Sequence, residues 1–254
     1  MLLVIDVGNT HMVVGIFDGD KLMRSWRIST DLKKTEDEFA MLFKNLLAEQ
    51  KLMYTHIKAV VISCVVPPLT WILVKMSKDY FQIQPLIVDY QLKLNIKIKL
   101  DYPQEIGADR IANAVAAYEL YGGPAIIIDF GTATTFCALD NNGCYLGGAI
   151  APGLELSSNA LFEKTAKLPG VELVEPKFAI GRNTIQAIQS GVYLGHLGLT
   201  RELIEGIKKE LTGNPLVIAT GGLAILMGKG CSMIDKVDPF LTLKGLKIIY
   251  HLNG

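Results

Sequence analysis

One segment of this chain is written twice. Leu2-Leu-Val-Ile-Asp6-Val-Gly8-Asn-Thr10 stands near the start, and Ala125-Ile-Ile-Ile-Asp129-Phe-Gly131-Thr-Ala133 stands midway. Aspartate follows aspartate and glycine follows glycine at the same offset of 123 (129 − 6 and 131 − 8). Each copy reads as an apolar strand ending in Asp-x-Gly, a polar turn and a second apolar strand. A further turn follows, Asp18-Gly-Asp20 or Asp140-Asn-Asn-Gly143, and then a third strand, Lys21–Ile28 or Cys144–Ile150. Asp-Gly and Asn-Gly are strong hairpin punctuation. The repeat occurs twice, at about half the chain length, so it predicts two similar halves and not a solenoid. Residues 1–121 and 122–254 are the expected domains.

After each three-stranded meander the pattern alternates between helix and strand. Thr35–Lys51 sets Phe39, Leu42, Phe43, Leu46 and Leu47 on one helical face. Lys58–Cys64 and Pro85–Val88 read as buried parallel strands, with a helix between them opening near Pro67-Pro68. Glu105–Tyr121 is an Ala-rich helix. In the second half, Leu154–Ala166 and Thr184–Leu211 read as helices and Leu216–Ala219 as a strand. Gly221-Gly222 opens another helix, and Leu241–Leu252 closes the chain. Strands alternating with helices imply an α/β fold, here as two domains with a cleft between the halves.

Composition narrows the partners. The 254 residues carry 25 Lys/Arg and 25 Asp/Glu, a formal net charge of +0. Residues 1–128 hold 14 of each sign and residues 129–254 hold 11 of each. No basic half or tail is present to hold a nucleic-acid backbone, so no nucleic-acid partner is expected. Half of the chain is hydrophobic, which excludes disorder. Its apolar stretches are broken by Ser, Cys, Pro, Thr or Gly, so no membrane span is expected. The N-terminus has no basic leader and no small-residue cleavage site, and a cytoplasmic location is expected. Cys64, Cys137, Cys144 and Cys231 lack framework spacing and read as reduced thiols. The four histidines are scattered without a zinc-site pattern.

Asp6-Val-Gly8-Asn9-Thr10 ends a strand in a carboxylate and then offers a tight, polar turn. Such a turn cradles phosphates through backbone N–H groups and hydroxyls. The carboxylate works there through a cation or its water shell. Alone, the motif also fits an ordinary hairpin. The second copy, Asp129-Phe-Gly131-Thr132-Ala133-Thr134-Thr135, favours the nucleotide-phosphate reading, because a structural hairpin need not repeat both acid and glycine. The chain contains neither a P-loop nor a dinucleotide fingerprint. Ala219-Thr-Gly-Gly222 after a buried strand permits a flat adenine, or simply close helix–strand packing. Gly107-Ala108-Asp109-Arg110 opens a helix on which Asp109, Ala112, Asn113 and Ala116 share a face. That face packs closely or lines a pocket. Asp109 is either a base for a substrate hydroxyl or a stabiliser of the helix N-terminus. Arg110 offers a planar fork to a carboxylate or phosphate. Gly147-Gly-Ala-Ile-Ala-Pro152-Gly153 and Gly181-Arg-Asn-Thr184 read as glycine-rich strand-to-helix turns, with Asn183 or Thr184 as a helix cap. The Leu/Ile stripe of Leu194–Ile207 reads as core or subunit interface.

Duplicated Asp-x-Gly hairpins with a Gly-Gly turn near the C-terminus resemble the actin-like ATPase and sugar-kinase superfamily, with duplicated ribonuclease H-like domains. Within it the chain resembles the type III pantothenate kinases over nearly its whole length. The resemblance rests on the order and spacing of Asp6–Thr10, Gly107–Arg110, Asp129–Thr135, Gly147–Gly153, Thr165-Ala-Lys-Leu-Pro169, Ala219–Gly222 and Asp238–Gly245. It implies phosphorylation of pantothenate by ATP, the first step towards coenzyme A. It places the proton acceptor on Asp109 and the pantothenate contacts on Gly107, Ala108, Asp109, Arg110 and Thr184. It places ATP on Asp6, Val7, Gly8, Asn9, Thr10, His11, Met12 and Val13, with Thr132 adding a contact. It implies a monovalent cation, K⁺ or NH₄⁺, on Asp129, together with Mg²⁺ and a homodimer. The chain departs from the family pattern before Gly107, where the segment is short. Tyr102 either fills the role of a substrate-contacting tyrosine or merely packs. The alternatives are a transcription accessory protein of the same family and a phosphatase of the same superfamily.

Overall fold

Leu2–Val7 is apolar except at Asp6, rich in branched side chains, and too short for a stable helix. It forms β1 (Leu2–Val7), the centre of a five-stranded sheet in a computed structural model that describes residues 1–163 and 168–254. β1 is antiparallel to β2 (His11–Asp18), which is antiparallel to β3 (Lys21–Ser29). On its other side it is parallel to β4 (Ala59–Cys64), which pairs with the short β5 (Leu86–Ile87). The order is therefore β3-β2-β1-β4-β5.

Two helices share one core with this sheet. α1 (Glu36–Glu49) starts at Thr35 in a reciprocal capping box: Glu38 N–H donates to the Thr35 hydroxyl, and Thr35 N–H donates to the Glu38 carboxylate. Phe39, Phe43 and Leu47 of its apolar face are buried with Ile5, Ile62 and Leu69 in one core. Each such side chain contributes about 1.5–3 kcal/mol. α2 (Pro67–Met76) opens on its paired prolines, where a missing N–H is harmless.

The second sheet repeats the first. β7 (Ala125–Phe130), β8 (Ala133–Leu139) and β9 (Cys144–Pro152) form the meander. β10 (Leu216–Thr220) runs parallel to β7, and β11 (Lys236–Val237) parallel to β10. The order β11-β10-β7-β8-β9 matches that of the first sheet, strand for strand. β6 (Lys97–Ile98) adds one strand at the β9 edge. At two residues, with a lysine in one of them, it carries no strand signal in the sequence. The helices are α3 (Ala108–Tyr121), α4 (Leu154–Glu163), α5 (Thr184–Glu210), α6 (Ala224–Gly230) and α7 (Leu241–Asn253). The expected extension of α4 to Ala166, and the Thr165–Lys167 part of the motif quoted above, lie outside the described residues.

The chain divides into two compact units. Unit one is Met1–Asn95, Tyr102–Ala116 and Thr242–Gly254; unit two is Ile96–Asp101 and Ala117–Leu241. The closing helix, which chain order assigns to the second half, groups with the first unit. Gly245 lies so close to α3 that a Cβ there would sit 1.9 Å from the Ala112 carbonyl oxygen.

Two element expectations change. α3 starts at Ala108 and not at Glu105, because Pro103–Glu105 form a separate 3₁₀ turn and Ile106 is extended. Gly147 and Gly148 lie inside β9 and not in a strand-to-helix turn. The register between β8 and β9 shifts there, and Gly147 has φ +119°, a bulge that only glycine accepts readily.

Candidate functional site

In both β1 and β7 the aspartate is the one residue of six that is not fully buried. A strand buried on both faces thus delivers a single carboxylate to its C-terminal end. At the first hairpin, Gly8 N–H donates to the His11 carbonyl at 3.0 Å, closing a turn whose tip, Asn9 and Thr10, is exposed. Thr30 pins this turn from behind. Its hydroxyl donates to the Gly8 carbonyl at 2.7 Å, and its N–H to the Thr10 carbonyl at 3.0 Å. Nothing in the sequence marks Thr30, since its role depends on β3 returning beside the turn. Beyond the turn, Arg27 and His11 meet at 2.8 Å, guanidinium to Nδ1.

The second hairpin is tighter. Gly131 N–H donates to the Ala133 carbonyl at 3.2 Å, one residue nearer than in the first. Gly153 N–H donates to the Thr132 carbonyl at 3.1 Å, and Leu223 N–H to the Phe130 carbonyl at 3.3 Å. Both glycine-rich motifs therefore support this turn. A Cβ at Gly153 would lie 2.4 Å from the Gly131 carbonyl oxygen, and one at Gly221 would lie 2.4 Å from Asp129 Oδ1. Gly221 also has φ +92°. Thr132 is exposed at the tip.

Asp109 is the second residue of α3. Its Oδ1 accepts the Arg110 N–H at 2.8 Å, as a helix-capping carboxylate does. Burial nevertheless outweighs this bond and the Arg110 charge, and pushes the Asp109 carboxyl up from its ordinary value. Gly107 makes the arrangement possible, because a Cβ there would fall 2.4 Å from Asp109 Oδ1. The same point lies 3.5 Å from Val65 Cγ1, and Val65 N–H donates to the Val7 carbonyl at 3.0 Å. Val65 therefore joins the Asp109 loop to the first hairpin within unit one. Arg110 reaches the Glu105 carbonyl at 3.3 Å.

The rest of the α3 face is buried and packed. Asn113 Oδ1 accepts the Thr242 hydroxyl at 2.7 Å, and Ala112 lies under Gly245. Tyr102 is 62% exposed at the start of the Pro103–Glu105 turn, where its carbonyl accepts the Glu105 N–H at 3.0 Å. Thr184 stands in unit two as the first residue of α5. The cap there is Asn183, whose Oδ1 accepts the Gln186 N–H at 2.9 Å. Thr184 lines an apolar cavity of about 640 Å³ with Pro152, Leu161, Ile188 and His196. His196 of this lining has its Nε2 2.9 Å from the Thr134 hydroxyl. Among the described residues no group of three or more His, Cys, Asp or Glu could hold a metal, and no helix is long and apolar enough to cross a membrane.

The sequence model of a family described as type III pantothenate kinase matches residues 2–206. The chain belongs to the type III pantothenate kinase family. A type III pantothenate kinase of Geobacillus sp. (strain WCH70) is 50% identical over 253 residues, covering 100% of this chain and 98% of that protein. Another, from Bacillus cytotoxicus, is 47% identical over 254 residues, covering 100% and 97%. Among solved structures, a Campylobacter jejuni protein assigned to the Baf family of transcriptional activators superposes with a TM-score of 0.63 at 20% identity, covering 98% and 97% of the two chains. At that identity the likeness shows the fold alone. The fold is that of the actin-like ATPases and their kinase relatives, an α/β class with two mixed sheets. In this type III pantothenate kinase family member, backbone hydrogen bonds and close glycine packing fix the two hairpins, and a close glycine approach fixes the Gly107–Arg110 loop.

Proposed function

We propose that this chain transfers a phosphoryl group from ATP to pantothenate, the step that opens coenzyme A synthesis. The observation that carries the reading is the 50% identity to a type III pantothenate kinase over the whole chain. The site geometry accommodates it. The first hairpin, Asp6 to Val13, holds the nucleotide phosphates at its exposed tip, and Thr132 of the second hairpin adds a contact. Mg²⁺ fits there as a partner of one carboxylate and phosphate oxygens, since a cage of protein carboxylates is not required. Asp129, the carboxylate near the C-terminal end of β7, suits a monovalent cation. When bound, these ions neutralise charge on the transferred phosphoryl group. Asp109 accepts the proton of the pantothenate hydroxyl, and burial raises its basicity for that task. Gly107 and Ala108 let the substrate approach, Arg110 pairs with its carboxylate, and Thr184 contacts it; Tyr102 is a weaker candidate for the same role. The repeat at residues 1–121 and 122–254 reads as two copies of one ancestral unit, supported by the matching strand orders. The enzyme works as a homodimer in the cytoplasm, and the charge balance of both halves supports the absence of a nucleic-acid partner.

A coupled assay of ADP release tests this. Release should require both pantothenate and K⁺ or NH₄⁺. Asp109→Asn should lower kcat by about 10²–10⁴-fold, the usual contribution of a positioned base, with the circular-dichroism spectrum unchanged. ADP release independent of pantothenate would point instead to a hydrolase, and near-normal turnover in Asp109→Asn would remove the base assignment.

A further inference from the structure

Each hairpin aspartate has a buried hydroxyl as its neighbour on the adjoining parallel strand. Asp6 of β1 is in register with Ser63 of β4, and Asp129 of β7 with Thr220 of β10. Residues in register on neighbouring strands point to the same face of the sheet, so carboxylate and hydroxyl share a face in both units. Ser63 and Thr220 are both fully buried. Among the described residues, nothing hydrogen-bonds to Ser63 Oγ or Thr220 Oγ1. A buried hydroxyl left this way carries its full desolvation penalty, which an alanine or valine in the same space would avoid. One such group is an imperfection of packing. Two at the same topological position, each beside the carboxylate that ends the central strand, mark a position built for something the carboxylate binds.

At Asp129 the geometry is tighter. The residue after Thr220 is Gly221, whose φ of +92° turns the chain across the carboxylate, so that a Cβ there would lie 2.4 Å from Asp129 Oδ1. The end of β10 is thus folded directly onto the Asp129 side chain. A hydroxyl oxygen offers lone pairs without charge. One carboxylate plus neutral oxygens suits an ion of single positive charge, whereas a second carboxylate would overcompensate it. We infer that Thr220 Oγ1 is a ligand of the monovalent cation held at Asp129. This inference rests on the reading of Asp129 as the cation site.

The test is thermal melting of the full chain with Mg²⁺ and ADP, titrated with KCl against tetramethylammonium chloride at constant ionic strength. The wild type should gain melting temperature with K⁺, and Asp129→Asn should lose that gain. Thr220→Val, which keeps the shape and removes the oxygen, should raise the K⁺ midpoint at least tenfold, while Thr220→Ser should keep it near the wild-type value. In tetramethylammonium, Thr220→Val should melt at or above the wild type, since only an unpaired hydroxyl has gone. Should the valine variant fail to fold, Thr220→Ala carries the same comparison. An unchanged K⁺ midpoint in the valine or alanine variant, with Asp129→Asn unresponsive, overturns the assignment of Thr220 alone. No K⁺ response in the wild type overturns the Asp129 reading, and this inference with it.

Discussion

At the scale of single residues, the two sides of Asp109 pull in opposite directions. The Arg110 N–H and guanidinium favour its charged form, and burial disfavours it more strongly. Its folded-state pKa therefore lies above the unfolded value. The sign for stability follows: the ionised group is a penalty at pH values above its folded pKa, and the penalty vanishes below the unfolded one. Asp109→Asn should accordingly melt at or above the wild type at pH 7–8, with the difference closing as pH falls towards 4. Melting curves across that range decide this, and a variant less stable at pH 8 would mean the capping bond outweighs the burial. His196 behaves in the opposite way. It is buried against Phe130 and meets the Thr134 hydroxyl, and burial pushes its pKa down. Stability from keeping this ring neutral is present above the unfolded value near 6.5 and lost progressively as pH falls below it. His196→Gln should flatten part of the fall in melting temperature between pH 7 and pH 5. A variant whose fall parallels the wild type would assign that acid sensitivity to other groups. In the sequence His196 is only one of four scattered histidines, because its partner is 62 positions away and becomes a neighbour only when α5 packs on β8.

At the scale of elements, the repeated hairpins were readable because their chemistry is local. An apolar run, one acid and one glycine define the strand end and the turn. The supports of those turns were less readable. Thr30 holds the first turn from the strand after next, and its residue type is common in loops. The glycines of Gly147–Gly153 look alike in sequence but serve two ends: Gly147 makes a bulge in β9, while Gly153 lets the start of α4 touch the second hairpin. The second contact has a measurable consequence. A Cβ at 153 would stand 2.4 Å and 2.5 Å from the carbonyl oxygens of Gly131 and Thr132, both backbone atoms that cannot swing aside. Gly153→Ala should therefore shift the turn and lower stability by about 1–3 kcal/mol, the usual range for overpacking. Urea denaturation measures this. A loss below about 0.5 kcal/mol would show that the turn yields freely, and that Gly153 is not what holds it.

At the scale of the molecule, the duplication was legible and the membership of its parts was not. Strand order repeats between the two sheets because the same pattern of apolar runs and turns occurs twice. Chain order then suggests that the last helix belongs with the second half. Packing assigns it to the first. Gly245 closes on Ala112, Thr242 donates to Asn113, Lys247 reaches Asp20 at 2.8 Å, and Asn253 is bonded with the Lys93 backbone in both directions. No periodicity within α7 specifies those partners, which lie more than 100 positions away. Leu243, Leu246 and Ile249 of α7 are buried at 2%, 0% and 0% exposure, about 1.5–3 kcal/mol each. Against a typical total of about 5–15 kcal/mol, that is a large share of one unit's stability. Leu246→Ala should cost about 2–5 kcal/mol as a core cavity. Because α7 packs within unit one, hydrogen exchange should quicken across β1, β2 and β4 while β7, β8 and β10 keep their protection. Equal loss of protection in both sheets would show that the chain opens as one cooperative body, and that the C-terminal helix sets the stability of the whole.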